Sequence, residues 1–454
     1  MSRGFRPVQR RMIGRLIQFS ILGALAQLTP LEAVRAQASA AAARGPQAPS
    51  LSLSQLYAAA DSVNPRLRAA AARADAVAAQ AVTATRPPDP RVQLGLMNRE
   101  LPGLAQMDPL GMTQLQVMQM LPTAGKLGLS ATVARTRATA EAFRARDLRW
   151  EVRAAVAAAF YELYRVERAV SIARETRLLL ENVSAVADAM YRVGEAPQAD
   201  VLKARVEVAR MTEEITVMEA MRRVALARLG GLLDRSLGDS TPPAALPTFP
   251  TSLPTQPELE DIALQGRPML LAGDAEVAAA EAARRLAYRE LIPDVELGLQ
   301  YGQRAGATGP ERMGSLMLGT SVPIFARQRQ LPMRAEAEAM RAMAVADLTA
   351  MRAETRARIG AAYAEWQRAR NLQTLYRSTV LPQARAAVEA ALASYRVGGV
   401  NLMTLLDNQV TVNRYEQELA AIEAMEGVAL AELEMLMGRE LFDAAGGRET
   451  PGDR

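Results

Sequence analysis

Two stretches of the chain, "YRVGEAPQADVL" from Tyr191 and "YRVGGVNLMTLL" from Tyr395, open on the same four residues 204 positions apart. An internal repeat constrains a fold more than any single motif, because each copy must be one structural unit and the copies must bury surface on each other. This repeat extends well past the tetrapeptide. At the same offset Val208, Met211, Ile215, Met218, Ala225, Leu229 and Leu232 land on Val412, Tyr415, Leu419, Ile422, Ala429, Leu433 and Leu436. Upstream, "PRVQLGL" from Pro90 matches "PDVELGL" from Pro293 at an offset of 203, and "LPTAGK" from Leu121 matches "VPIFAR" from Val322 at 201. Drifts of this size are what loop insertions produce. The chain therefore reads as repeat 1 over 51–240 and repeat 2 over 258–438. Between them lies a crossover at 241–257, whose six prolines cannot continue a helix.

Each repeat opens with two helices, the first ending where Pro65 or Pro268 disfavours helix in the residue before it. The period then changes from 3.6 to 2. Alternation predicts strands at about 92–98 and 113–121 in repeat 1 and at about 294–302 and 314–323 in repeat 2, bracketing the polar loops "RELPGLAQMDPLG" and "QRAGATGPERMG". In the last strand Leu316, Leu318, Thr320 and Val322 share one face and Ser315, Met317, Gly319 and Ser321 the other, so one side suits lipid or a core and the other suits water. A very long helical region follows each strand pair. From Thr123 to Ala196 there is no proline, and a helix of that order would reach about 100 Å. No globular core is that deep, so long helices must pack side by side with partial heptads. Each "YRVG" then reads as the stop at the tip of a helical hairpin, near 191–197 and 395–401, because Gly194 and Gly398 tolerate the left-handed backbone that ends a helix.

Inventory removes much of enzymology. There is no Cys and no His among the 454 residues, which excludes disulfides, thiolate or imidazole metal sites and Ser/His/Asp or Cys/His catalysis. The acids are spread along helices beside arginines, with no cluster suggesting a catalytic or metal site, so neither enzyme activity nor a cofactor is expected. The net charge of +5 is carried by the first 38 residues, where six arginines face one glutamate, leaving no basic surplus for nucleic acid. Residues 1–38 have the layout of a cleavable export signal: an Arg-rich start, the uncharged run Leu16 to Leu31, and small residues in "AVRAQA". Residues 39–50 read as a flexible lead-in and 439–454 as a disordered tail. No later stretch is long and apolar enough for a spanning helix, so entry into a membrane must use strands. Four strands per chain cannot close a barrel. Two chains would give eight and a filled lumen, whereas three would give twelve and an opening.

An export signal followed by two copies of helix, strand, strand and long helical hairpin resembles the TolC-type outer-membrane efflux family. The likeness runs from about Leu51 to Gly438, and rests on "PRVQLGL" and "PDVELGL", on "QMLPTAGKLGL", and on the two "YRVG" tips with the "DVL" and "TLLD" that follow. The resemblance implies an α+β membrane protein: a homotrimer whose hairpins form one 12-stranded barrel in outer-membrane lipid, continued by a periplasmic α-barrel. It implies a passive duct serving a periplasmic membrane-fusion adaptor and an inner-membrane transporter of the resistance-nodulation type. Carried over by motif, adaptor contact falls on Tyr191, Arg192, Val193 and Gly194 and on Tyr395, Arg396, Val397 and Gly398. The periplasmic constriction falls on Asp407. A second family aspartate is replaced by Thr404 and an arginine of the closed state by Val400, while Asp200 holds the register of Thr404 in repeat 1 and could supply a compensating charge. Three aspartates on a threefold axis would concentrate negative potential in a narrow neck and select cations. The passage "LPTAGKLGL" is similar to the heavy-metal branch. Met97, Met107, Met112, Met118 and Met120 crowd around the first strand pair, and although thioethers bind soft ions, gap filling is the favoured reading. The competing class is a soluble periplasmic coiled-coil scaffold, which explains the heptads but not the alternating strands.

Overall fold

The computed structural model describes residues 50–106, 111–306 and 308–441. The expected export signal at 1–38, the lead-in apart from Ser50, and 442–454 of the expected tail lie outside the described residues. Helices dominate. Repeat 1 contains α1 (Leu53–Val63), α2 (Pro65–Thr83), β1 (Arg91–Met97), β2 (Arg99–Glu100), β3 (Ala105–Gln106), β4 (Met112–Leu121), α3 (Lys126–Arg192) and α4 (Gln198–Leu232). Repeat 2 contains α5 (Gln256–Gly266), α6 (Pro268–Arg289), β5 (Val295–Gly306), β6 (Gly309–Thr320), α7 (Gln330–Leu375), a π-turn (Tyr376–Val380), α8 (Leu381–Arg396) and α9 (Leu402–Met437). At 67 residues, α3 spans about 100 Å.

The main sheet is antiparallel in the order β1-β4-β5-β6, so the two repeats meet where β4 pairs with β5. Among the described residues its outer strands, β1 and β6, are open edges. The sequence pattern marks the apolar band of these strands better than their length. The expected loop at 303–314 is strand at 303–306 and 309–314, with β5 and β6 paired as far as Gly306 opposite Gly309 and stapled by Arg304 to Glu311 at 2.6 Å. In the other direction the strand expected to reach 323 stops at Thr320, because Pro323 has no N–H to give a ladder, and the Thr320 hydroxyl instead donates to the Asp294 carbonyl at 2.9 Å. The expected loop between β1 and β4 contains the short β2–β3 pair.

The main core gathers Leu53, Leu56, Val156, Phe160, Tyr161 and Leu226, where α1 packs against the middle of α3 and the C-terminal end of α4. The crossover is extended but not free. Leu51 bridges to Ala244, the Ala244 N–H donates to Glu167 at 2.8 Å, and Phe249 packs 6.0 Å from the Tyr161 ring. A capping box between Thr255 and Glu258 starts α5. The second long helical region is interrupted: a π-turn precedes Pro382, whose ring cannot accept the regular ladder and is accommodated by an inserted residue. The start of the expected tail is docked: the Leu441 N–H donates to Glu434 at 2.8 Å, Glu440 pairs with Arg153 at 2.6 Å, and Leu441 packs beside Trp366.

Candidate functional site

Three features of the chain have geometry suited to work outside the core: the hairpin tips, the helix starts just beyond them, and the sheet. The tips explain the repeated tetrapeptide. In α3 the helix ends at Arg192, Gly194 takes φ +80°, its N–H donates to the Tyr191 carbonyl at 3.0 Å, and the Glu195 N–H reaches Met190 at 2.9 Å. In α8 the same pair of bonds runs from Gly398, at φ +72°, to Tyr395 at 3.1 Å and from Gly399 to Ser394 at 2.8 Å. Both are Schellman closures, whose left-handed residue favours glycine. They leave Val193 and Val397 at 70% and 82% exposure, apolar side chains standing in solvent at the extreme ends of the hairpins.

The two tips are not equivalent. Tyr191 is 44% exposed, but Tyr395 is 3% exposed, packed in the cluster of Leu180, Val201, Ala391, Leu402 and Leu405 that joins the two hairpins. The expectation that both tyrosines lie on a contact surface is therefore corrected for Tyr395, whose side chain offers almost no surface. Burial, with the Asp200 carboxylate close by, pushes its phenol up, and its hydroxyl has no hydrogen-bond partner among the described residues. Arg192 pairs with Asp188 at 2.6 Å, whereas Arg396 has no ion-pair partner among the described residues and borders a cleft of about 460 Å³ between α3, α8 and α9.

Just beyond the tips, α4 and α9 start from Pro197 and Asn401. The Asn401 side chain accepts from both the Thr404 N–H and its hydroxyl at 2.9 Å, so Thr404 is held as part of a cap. Pro197 can offer no such cap, and Asp200, at the matching third position, supplies a negative charge to the helix start instead. Asp407 lies one turn further along α9, exposed and without an ion-pair or hydrogen-bond partner among the described residues. Deeper in, the hairpins are tied by Thr176 donating to Asn413 at 3.1 Å and Gln417 to Glu214 at 2.6 Å.

The sheet has two unlike faces. One carries Leu94, Leu96, Leu299, Leu316 and Leu318, each at least 52% exposed. The other carries Gln93, Gln114, Gln116, Gln300 and Ser315, with Gln300 bonded to Gln114 across the β4–β5 pairing. Methionines fill this polar face where glycines leave room: a Cβ on Gly298 would meet Met317 at 3.2 Å and Met118 at 3.6 Å, and one on Gly302 would meet Met112 at 2.9 Å. Packing accounts for them. Among the described residues there is no group of three or more His, Cys, Asp or Glu able to hold a metal, and no helix long and apolar enough to cross a membrane.

At the foot of the sheet lies a site whose residues the sequence motifs contain but whose pairing they do not reveal. Lys126, 6% exposed, donates to the Ile292 carbonyl at 2.7 Å and to Asp294 at 2.9 Å, while the Thr123 N–H reaches Asp294 at 2.9 Å. "LPTAGK" of repeat 1 is thus locked to "PD" of repeat 2.

Comparison with known proteins gives one consistent picture. The family model described as outer membrane efflux protein matches residues 56–234 and 259–439. The pyoverdine export outer membrane protein OpmQ of Pseudomonas putida is 26% identical over 283 residues, 58% of this chain; the chain spans 57% of that relative's length. Among solved structures, the outer-membrane channel OprN superposes with a TM-score of 0.74 at 20% identity over 85% of this chain and 89% of its own. CusC gives 0.74 at 18% identity over 86% and 92%. VceC of Vibrio cholerae gives 0.74 at 17% identity over 86% and 96%. These likenesses establish the fold.

Proposed function

The chain belongs to the TolC-type outer membrane efflux protein family, and from that premise we propose that it is the outer-membrane duct of a tripartite export system. The observation that carries the proposal is the sheet: among the described residues, four strands with an exposed leucine face, a glutamine face and two open edges, at the end of a helix about 100 Å long. An apolar sheet face of that extent is costly in water, and open strand edges are costly in lipid. Both costs vanish if three copies close a barrel with leucines toward lipid and glutamines toward a wet lumen. The long helices then continue the duct into the periplasm.

In this reading the exposed tip residues Tyr191, Arg192, Val193 and Gly194, with Arg396, Val397 and Gly398, meet a periplasmic adaptor, which couples the duct to an inner-membrane transporter of the resistance-nodulation type. Asp407, repeated on a threefold axis, forms an acidic neck that draws cations, with Thr404 and Asp200 close to it. An export signal at 1–38 delivers the chain to the envelope. Fractionation tests the proposal. A duct is recovered with the outer membrane, needs detergent for extraction and elutes as a trimer. Recovery of a soluble monomer or dimer without detergent would overturn it in favour of a periplasmic scaffold.

A further inference from the structure

The two helical hairpins, α3–α4 and α8–α9, differ at a place where the repeat should make them alike. In the first, Asp188 is an internal anion between two arginines: Arg192 lies 2.6 Å from it and Arg205, on the return helix, 3.6 Å. At the offset of 204 that relates the hairpins, the same three positions in the second are Leu392, Arg396 and Gln409. The acid is gone and the donors around it remain. Arg396 has no ion-pair partner among the described residues, and Gln409, 7% exposed, has no hydrogen-bond partner among them. A buried amide without a partner is costly.

Leu392, Arg396 and Gln409 all line the cleft of about 460 Å³ between α3 of the first hairpin and α8 and α9 of the second. Side chains on a helix lean toward its N-terminus, so on the antiparallel pair α8 and α9 the side chains of Arg396 and Gln409 lean toward each other. Away from these donors the walls are apolar, supplied by Leu179, Val183, Val388, Leu406 and Val412. The stretch of α8 beside the cleft, from Arg385 to Arg396, is about 16 Å long. Charges at the far end are already satisfied: Arg385 is bonded to Glu416, and the Ser171 hydroxyl donates to Glu175 at 2.9 Å. Glu389 stands about 10 Å along α8 from Arg396. The cleft therefore has a cationic, hydrogen-bonding end near the tips and a long apolar body behind it.

We propose that this cleft binds an amphiphilic carboxylate of the size of a medium-chain fatty acid. Its head takes the place between Arg396 and Gln409 that Asp188 holds between Arg192 and Arg205, and its tail lies along Leu179, Val183 and Leu406. The head accepts a charge-assisted bond, and the tail leaves water. Because the walls come from both hairpins, the occupant bridges them, and its binding free energy adds to the stability of their packing. The site lies within one chain, so it goes beyond the duct reading and does not depend on it.

Calorimetric titration of the purified full-length protein in nanodiscs, with empty nanodiscs as the blank, tests the proposal. The probes are decanoate, decanol and decyltrimethylammonium, each below the concentration at which it forms micelles. Saturable binding of one decanoate per chain is expected, roughly tenfold tighter than either other probe, the order of factor that a hydrogen bond to a charged group supplies. Arg396→Gln is expected to weaken decanoate by about the same factor and to leave decanol unchanged. The decisive variant is Leu392→Asp, which gives the second hairpin the acid of the first: the chain's own carboxylate then fills the anion position, and decanoate binding is lost. Leu392→Asn makes the wall comparably polar without the charge, and the preference for decanoate over decanol should survive it. Equal affinity for the three probes, no saturable binding, or decanoate binding that withstands Arg396→Gln or Leu392→Asp overturns the proposal. Equal losses in Leu392→Asp and Leu392→Asn would assign the effect to the polarity of the wall and overturn the anion position.

Discussion

Gly427 sits in the middle of α9, where glycine is disfavoured by about 1 kcal/mol relative to alanine. Propensity alone therefore predicts that Gly427→Ala stabilises the protein. The structure predicts the opposite. A Cβ at this position would stand 2.3 Å from Tyr161 Cζ and 2.4 and 2.6 Å from the flanking ring carbons, about 1 Å short of ordinary contact at 3.4 Å. The ring has nowhere to go: Tyr161 has 0% exposure, with Phe160 edge-on at 5.3 Å and Phe249 at 6.0 Å. Overpacking of a rigid core costs about 1–3 kcal/mol and occasionally more, and the ring overlap here is severe, so after the propensity gain of about 1 kcal/mol a net loss of up to about 2 kcal/mol is expected. Urea unfolding of the detergent-solubilised protein, followed by circular dichroism, measures it. The diagnostic step is a double-mutant cycle with Tyr161→Leu, which removes the ring. A favourable coupling of about 1–3 kcal/mol is expected, since the alanine methyl then fills part of the vacated space. Additive effects, or a stabilised Gly427→Ala single variant, would refute the claim that this glycine exists to let α9 cross the ring.

Asp294→Asn leaves the buried Lys126 with a distant carboxylate as its only remaining counter-charge among the described residues, and should cost about 1–3 kcal/mol, read from the urea midpoint. Burial pushes the Glu426 carboxyl up against the pull of Arg370 and the bond from Gln373, so its ionisation opposes folding; that cost is present above its folded pKa and absent below the ordinary value of 4.5. Glu426→Gln should accordingly raise the melting temperature at pH values well above that range, with a gap that closes on acidification; a gap that widens toward low pH contradicts the sign. Tyr395→Phe removes a buried hydroxyl with no hydrogen-bond partner among the described residues and should leave stability unchanged or improved, whereas Tyr164→Phe, which loses a 2.6 Å bond to Glu423, should cost about 1–2 kcal/mol by the same urea assay.

Local features with a backbone cause were legible in the sequence. The two "YRVG" stops are an example: a Schellman closure requires a left-handed residue, and glycine is the residue that supplies it without strain, so Gly194 and Gly398 could be singled out from the chain alone. The alternation of Leu316 and Leu318 with Ser315 and Met317 was legible for the same kind of reason, since strand faces follow a period of two. Features decided by distant neighbours were not. Tyr191 and Tyr395 occupy identical tetrapeptides, yet one is exposed and the other buried, because the second tip is covered by residues of the opposite hairpin. Lys126 and Asp294 both belonged to recognisable motifs, but their bond spans 168 positions and nothing local announces it. The polar ends of β5 and β6 look like loop in the sequence because alternation marks the apolar band only, and the π-turn at Tyr376–Val380 has no sequence signature because a proline can break a helix in several ways.

The central claim, that the chain forms an aqueous duct narrowed at an acidic neck, is tested most directly by single-channel recording of the purified protein in a planar bilayer, side by side with Asp407→Ala. The account predicts discrete openings in which losing Asp407 shifts the conductance and weakens the preference for cations. Openings whose conductance and selectivity are indifferent to Asp407 would remove the neck from that position, and the absence of any openings from a membrane-inserted trimer would contradict the duct itself.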